Sequence, residues 1–436
     1  IGNNYTVQEI NTAERYVVPA IQEGVTISLN KTTNLQFENK LARGAVEVKK
    51  TSEDGKTAGI TFRLYGTAIN GETVDMTAVT DANGIATFNN VLIGNNYSVE
   101  EVNTAAKYVV PEVKAGVKVT LGNTTDVEVY NKLKRGDLRV TKTSEDGLVE
   151  GITFRLYGTA ISGDAVDMTA TTNADGVAIF KDVLIGNNYT LEEVDTAVKY
   201  VIPAVQEGLV VEYQKTTDTA VSNVLKKWKV TVKKTDSETV DIPRGDAVFE
   251  GAVYGLYKGD ELVKEYVIGK DGTFTTDEYI CGYDYTIREI KAPTGYQIDE
   301  TVYPVGSEPE NYTIEHNSAP LITSVEVINR GTFAITKFIS DGTSGPAKFE
   351  GGAEFIYWLQ SAGSYENAKE DERGTLTTNE LGYSGKSIEL PYGTYVVRQT
   401  KAGDKGAGLA PEFTVLVGKV DHDNQDLAVN NGPITA

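Results

Sequence analysis

Ile93-Gly94-Asn95-Asn96-Tyr97-Ser98-Val99-Glu100-Glu101 decides the fold on two grounds. Its first five residues also stand at 1–5 and 185–189, so Ile-Gly-Asn-Asn-Tyr returns every 92 residues. Its last five alternate: Tyr97, Val99 and Glu101 fall on one side of an extended chain, Ser98 and Glu100 on the other. That is the period of a half-buried β-strand. The same step of 92 carries residues 51–55 onto 143–147 and residues 60–66 onto 152–158. A unit of this length is too long for a solenoid repeat and fits a small independent domain.

Working outward, two divergent units follow. Val230-Thr231-Val232-Lys233-Lys234 resembles Val46-Glu47-Val48-Lys49-Lys50, and Tyr285–Glu289 resembles Tyr97–Glu101. Phe333-Ala334-Ile335-Thr336-Lys337 opens the last. The units are read as 44–135, 136–227, 228–330 and 331–436. Residues 1–43 align with 93–135, the second half of a unit, so the chain reads as cut from a longer array. Alternating segments recur at Val46–Lys50, Phe62–Leu64 and Val127–Asn131. Turn signals separate them at Glu53-Asp54-Gly55, Asp81-Ala82-Asn83-Gly84 and Gly122-Asn123. Short strands with closely spaced turns predict an all-β chain of immunoglobulin-like antiparallel sandwiches. Short connections such as Lys132–Gly136 predict an elongated rod.

Composition narrows the function. The chain has 436 residues, a net charge of −21, one Cys and two His. An acidic chain repels phosphate backbones, so nucleic acid is not an expected partner, and neither is an anionic membrane. No apolar run is long enough to span a bilayer. One Cys rules out an internal disulfide framework and a Cys-based zinc site. No metal or cofactor is expected. The loops at 81–84 and 173–176 are read as Asx turns, since they lack the distal Glu of a calcium loop. Asp421-His422-Asp423-Asn424 is read as a solvated loop, Cys281 as a structural thiol, and residues 432–436 as no sorting signal.

Three residue types break the alternation rule. Lys50 is in phase with Val46 and Val48, Glu101 with Tyr97 and Val99, and Asn131 with Val127 and Val129. Lys142, Glu193 and Asn223 repeat the pattern, as do Lys234, Glu289 and Asn329. Inward charges are costly unless they pair or react. One reading places them at a sandwich rim. The other is a spontaneous isopeptide bond. Burial strips the Lys of its proton, and its amine attacks the Asn side-chain carbonyl. A protonated Glu hydrogen-bonds the carbonyl oxygen and shuttles protons as ammonia leaves. The protein is then its own single-turnover substrate and not an enzyme.

On these residues the units resemble the B-type repeat domains of Gram-positive collagen adhesins and pilin shafts. The family pattern is a Lys closing the first strand, a Glu in Tyr-x-Leu-x-Glu and an Asn closing the last strand. Ala292-Pro293-Thr294-Gly295-Tyr296 also resembles a family segment, loosened to Ala106-Lys107-Tyr108 and Val198-Lys199-Tyr200. The resemblance implies a prealbumin-like sandwich and a surface stalk, extracellular and wall-anchored, stiffened by such bonds. Its partners would be neighbouring repeats and other subunits of a surface polymer. The alternative is a host-ligand module using insertions at 304–320 and 361–374. The last unit departs from the pattern: Gln399 stands where Glu is expected, so Lys337 should react slowly or not at all. Its partner would be Asn431, with Asn430 the alternative. Residues 1–43 keep Glu9 and Asn39 but have no lysine strand.

Overall fold

The computed structural model describes residues 1–282, 284–306, 321–340 and 348–418, and the backbone of Asn424–Asn431. It is a series of two-sheet β-sandwiches. In residues 44–135 the three-stranded sheet has Arg43–Ser52 at its centre. Ile85–Leu92 lies antiparallel on one side and Thr124–Asn131 parallel on the other. The facing sheet runs Thr73–Val79, Thr61–Thr67, Gly94–Val102, Lys114–Val119, all antiparallel. The inward residues of the two sheets form one core of Val46, Val48, Phe62, Leu64, Phe88, Tyr97 and Val99. Burial of this apolar face selects the register, because a slip of one residue would turn every side chain outward.

Residues 136–223 repeat the arrangement, with Arg135–Ser144 central between Val177–Leu184 and Thr216–Asn223. In the third unit Thr231–Asp236 lies between Thr273–Thr275 and Leu321–Glu326. In the last, Arg330–Ile339 pairs in parallel with Asn424–Asn431. At the start of the chain Gly2–Val7 and Gln22–Ile27 form an antiparallel pair whose side chains are mostly exposed.

The turn at 81–84 shows how local chemistry sets the site. Asp81 Oδ1 accepts the amides of Asn83 and Ile85 at 2.8 and 2.9 Å, closing an Asx turn. Gly84 follows at φ +79°, where a Cβ would lie 2.7 Å from the carbonyl oxygen of Lys50. Only glycine lets the turn come this close, and the Gly84 carbonyl in return accepts the Lys50 amide at 2.8 Å. The Asn173 turn repeats this geometry on Asp175 and Val177. The polar atoms of both turns therefore face backbone amides.

Candidate functional site

In residues 44–135 the strand Arg43–Ser52 brings Lys50 beside Thr124–Asn131, with Lys50 opposite Val129 and Ser52 opposite Asn131. Glu101 comes from the other sheet, opposite Phe62. All three side chains meet between the sheets: Lys50 is 1% exposed, Asn131 0% and the Glu101 side chain 1%. They lie in the core and not at a solvated rim. The carboxylate bridges the other two. Glu101 Oε1 accepts Asn131 Nδ2 at 2.9 Å, and Oε2 lies 4.0 Å from Lys50 Nζ. Burial pushes the Lys50 amine below its ordinary pKa, although Glu101 and then Asp54 pull the other way. Glu101 Oε2 and Asn131 Oδ1 are both buried without a hydrogen-bond partner. The amide thus turns its nitrogen to the carboxylate, the reverse of the carbonyl contact expected from the sequence.

The second unit reproduces this closely. Asn223 Nδ2 donates to Glu193 Oε1 at 2.9 Å, Lys142 Nζ is 3.6 Å from Glu193 Oε2, and burial lowers the Lys142 pKa. In residues 1–43 half of the arrangement persists: Asn39 Nδ2 donates to Glu9 Oε1 at 3.3 Å.

The third unit requires a correction. Asn329 is not at the Lys234 site; it donates to the Tyr296 carbonyl at 3.0 Å. The inward face of Leu321–Glu326 carries Ser324 and Glu326, while Val325 and Val327 are 52% and 51% exposed. The apolar residues that set the expected phase thus point outward, and the polar ones point in. Lys234 lies opposite Ser324, and Asp236 opposite Glu326, so Glu326 occupies the place of Asn131. Lys234 Nζ is 2.6 Å from Glu289 Oε1 and also contacts Glu326 Oε1.

The last unit also differs. Gln399 spends its side chain on the backbone, accepting from the Ala410 amide at 2.8 Å and donating to the Lys401 carbonyl at 2.9 Å. The carboxylate beside Lys337 is Glu350, at 3.3 Å, with both side chains fully buried. Glu350 follows the two-residue strand Lys348–Phe349, too short to show a period, so alternation could not reveal it. The only clue was the missing acid at 399. Backbone register places Ile339 opposite Asn431 and Phe338 opposite Asn430, so Asn431 takes the Asn131 position.

Asp54 is a further residue that sequence reading assigned only to a turn. Burial opposes its charge, but bonds from Lys107, Tyr108, Ser52 and the Lys56 amide hold its pKa well below the carboxylate range. Its neighbour Glu53 pairs with Arg135 at 2.5 Å and accepts the Leu133 amide. The 51–55 motif therefore ties the lysine strand to the chain leaving the unit.

The insertion at 361–374 carries Asp371 and Glu372, which pair with buried Arg244 of the third unit. Most of the 304–320 insertion, Asp421–Asp423 and residues 432–436 lie outside the described residues. Cys281 is partly buried, and burial raises its thiol pKa, the opposite of nucleophilic activation.

A model of the family described as SpaA, prealbumin-like fold domain, matches residues 44–133, 136–225 and 228–318. No curated protein matches the sequence. Among solved structures, the Bacillus anthracis TIE protein is 18% identical, with a TM-score of 0.48, over 88% of this chain and 73% of that one. BcpA, the major pilin subunit of Bacillus cereus, is 18% identical, with a TM-score of 0.32, over 66% of this chain and 99% of its own. The shaft pilin SpaA from Lactobacillus rhamnosus GG is 16% identical, with a TM-score of 0.20, over 44% and 98%.

Proposed function

The chain belongs to the SpaA prealbumin-like fold domain family, and from that premise we propose that it is a structural stalk or pilus-like shaft segment of a Gram-positive surface protein. Lys50–Asn131 and Lys142–Asn223 amides stiffen it. One observation carries this reading: the same buried Lys, Glu and Asn meet between the sheets of two successive units. Lys50 passes a proton to Glu101, and its free amine attacks Cγ of Asn131. Glu101 returns that proton to Nδ2, which leaves as ammonia, and takes a second proton from the attacking nitrogen, so that it ends protonated. The Nδ2 contact suits this relay, because the carboxylate already touches the leaving group. Folding supplies the proximity, worth effective molarities on the order of 10⁵–10⁸ M. Intact-mass spectrometry tests it. Each of the two units should be lighter by one ammonia, and a full-mass chain would sink the mechanism.

In the last unit Glu350 replaces the carboxylate missing at 399, so a Lys337–Asn431 bond can form there too. Peptide mapping of two variants checks this. Glu350→Gln should leave Lys337 as a free amine, whereas Gln399→Ala should keep the bond. The opposite pattern would return the role to position 399.

The host-ligand alternative loses part of its support, because Asp371 and Glu372 of the 361–374 insertion are spent on Arg244 within the chain. Tandem units of one design also suit a spacer better than a set of distinct pockets. Among the described residues no helix is long and apolar enough to cross a membrane. The expected setting is the bacterial surface, with other subunits of a surface polymer as partners.

A further inference from the structure

The geometry points to a different covalent bond in the third unit: Lys234 joins the side chain of Glu326 with loss of water. This rests on the isopeptide reading above and extends it to a carboxyl acceptor. The parallel ladder pairs Lys234 with Ser324 and Asp236 with Glu326, the same offsets that bring Asn131 to Lys50. Glu289 takes the position of Glu101, opposite Tyr254 as Glu101 is opposite Phe62. The acceptor position and the shuttle position are therefore both filled by carboxyl groups.

Charge decides what these groups do. The side chains of Lys234, Glu289 and Glu326 are fully buried. Two carboxylates and one ammonium would leave a net negative charge in a dry pocket, which is strongly disfavoured. Burial raises the pKa of both Glu289 and Glu326; Asp299 adds to the rise at Glu289, and Glu289 to that at Glu326. One proton is thus retained between them, as for other carboxyl pairs in one site. Each carboxyl has one bonded and one unpartnered oxygen: Glu289 Oε2 accepts the Asp299 amide at 2.7 Å, Glu326 Oε1 accepts from Lys234 and Ser324, and Glu289 Oε1 and Glu326 Oε2 are buried without a hydrogen-bond partner. Position assigns the roles: Glu326 stands where Asn131 does and is the neutral acceptor, and Glu289 stands where Glu101 does and takes the proton. Ser324 Oγ, 3.1 Å from Glu326 Oε1 and 2.7 Å from Asp299 Oδ2, accepts the Tyr254 hydroxyl and fixes the acceptor in place.

The step balances without any co-reactant. The Lys234 ammonium gives one proton to Glu289. The free amine attacks Cδ of the neutral Glu326 carboxyl and forms the C–N bond. The C–OH bond then breaks as its oxygen takes a second proton from the nitrogen, and water leaves. The three groups end as an amide and a protonated Glu289, with no charge left on any of them. A neutral carboxyl gives up its hydroxyl as water, as the amide in the first two units gives up ammonia.

Tryptic mapping of the full chain separates the outcomes. Trypsin cuts after Lys233, Arg244, Arg288, Lys291 and Arg330, so Glu289 and Glu326 fall on different peptides, 289–291 and 292–330. The expected result is peptide 234–244 joined to 292–330 with the loss of one water, and fragmentation placing the junction at Glu326. Glu326→Ala should abolish it, and Glu326→Gln should convert the loss from water to ammonia. Free peptides here, alongside ammonia-loss junctions in the first two units, would overturn this inference alone. Free peptides in all units would overturn the isopeptide reading as well. A junction at 289–291, or an ammonia-loss junction at Asn329 in the unaltered chain, would overturn the assignment of Glu326.

Discussion

Glu101→Gln should leave Lys50 and Asn131 unjoined and lower the melting transition of residues 44–135 by tens of degrees. Gln keeps the shape of Glu and can still accept from Asn131 Nδ2, which in the structure bonds Glu101 Oε1 at 2.9 Å. It cannot take a proton from Lys50. The fold should therefore persist while the chemistry stops. The proposed bond would close a loop from Lys50 to Asn131, and by analogy with a disulfide of similar span it would stabilise the unit by roughly 4–5 kcal/mol. For a domain of this size each kcal/mol moves the midpoint by about 4–8 °C, so the expected fall is roughly 15–40 °C. Calorimetry of the whole chain reads it directly, because residues 136–227 would keep the proposed Lys142–Asn223 bond and serve as an internal reference. Glu100→Gln is the control, since Glu100 lies on the outer face and pairs with Arg63 at 3.2 Å. An ammonia loss that survives Glu101→Gln would remove Glu101 from the mechanism.

The unjoined unit should also acquire a pH dependence. Burial holds Lys50 below its ordinary pKa, and Glu101, which pulls it upward, would be gone. Between the folded and unfolded values the unfolded chain binds more protons, so stability rises with pH through that window. Below the folded value the penalty for charging a buried amine is fully present.

The legible and illegible parts of the sequence divide on one physical point. Burial enforces a period of two, so wherever a strand is long and its apolar face is clean the inward residues can be read directly. That holds for Val46, Val48 and Lys50, and for Tyr97, Val99 and Glu101. It fails for Leu321–Glu326, where the inward face is polar because it completes a charged site. Val325 and Val327 are apolar and exposed, so the pattern pointed to Asn329 in place of Glu326. It fails again for Glu350, which no regular strand carries. The sequence also could not disclose how Asp54 is used. Its partners Lys107 and Tyr108 lie more than fifty residues away, and only the folded chain brings them together. In each case a functional polar group replaced the apolar signal that reading depends on.

Under tension the bonded units should hardly lengthen, and breaking one bond should release a long, countable segment. Arg43–Ser52 and Thr124–Asn131 are parallel neighbours, and the cross-linked residues stand near the same end of both. A force entering at Arg43 runs along the strand to Lys50, crosses the amide to Asn131 and leaves toward Arg135. Residues 51–130 are outside that path. Without the amide the same force pulls the two strands in opposite directions and loads their hydrogen-bond ladder in shear. Once the ladder yields, residues 51–130 can extend at about 3.3–3.6 Å each, adding roughly 260–290 Å of contour length. Single-molecule pulling on the whole chain should therefore show no such step from residues 44–135 or 136–227. The Glu101→Gln chain should show one, and the chain carrying Glu193→Gln as well should show two. Steps of that length from the unaltered chain would mean that the load is carried by hydrogen bonds and that these units are not covalently clamped.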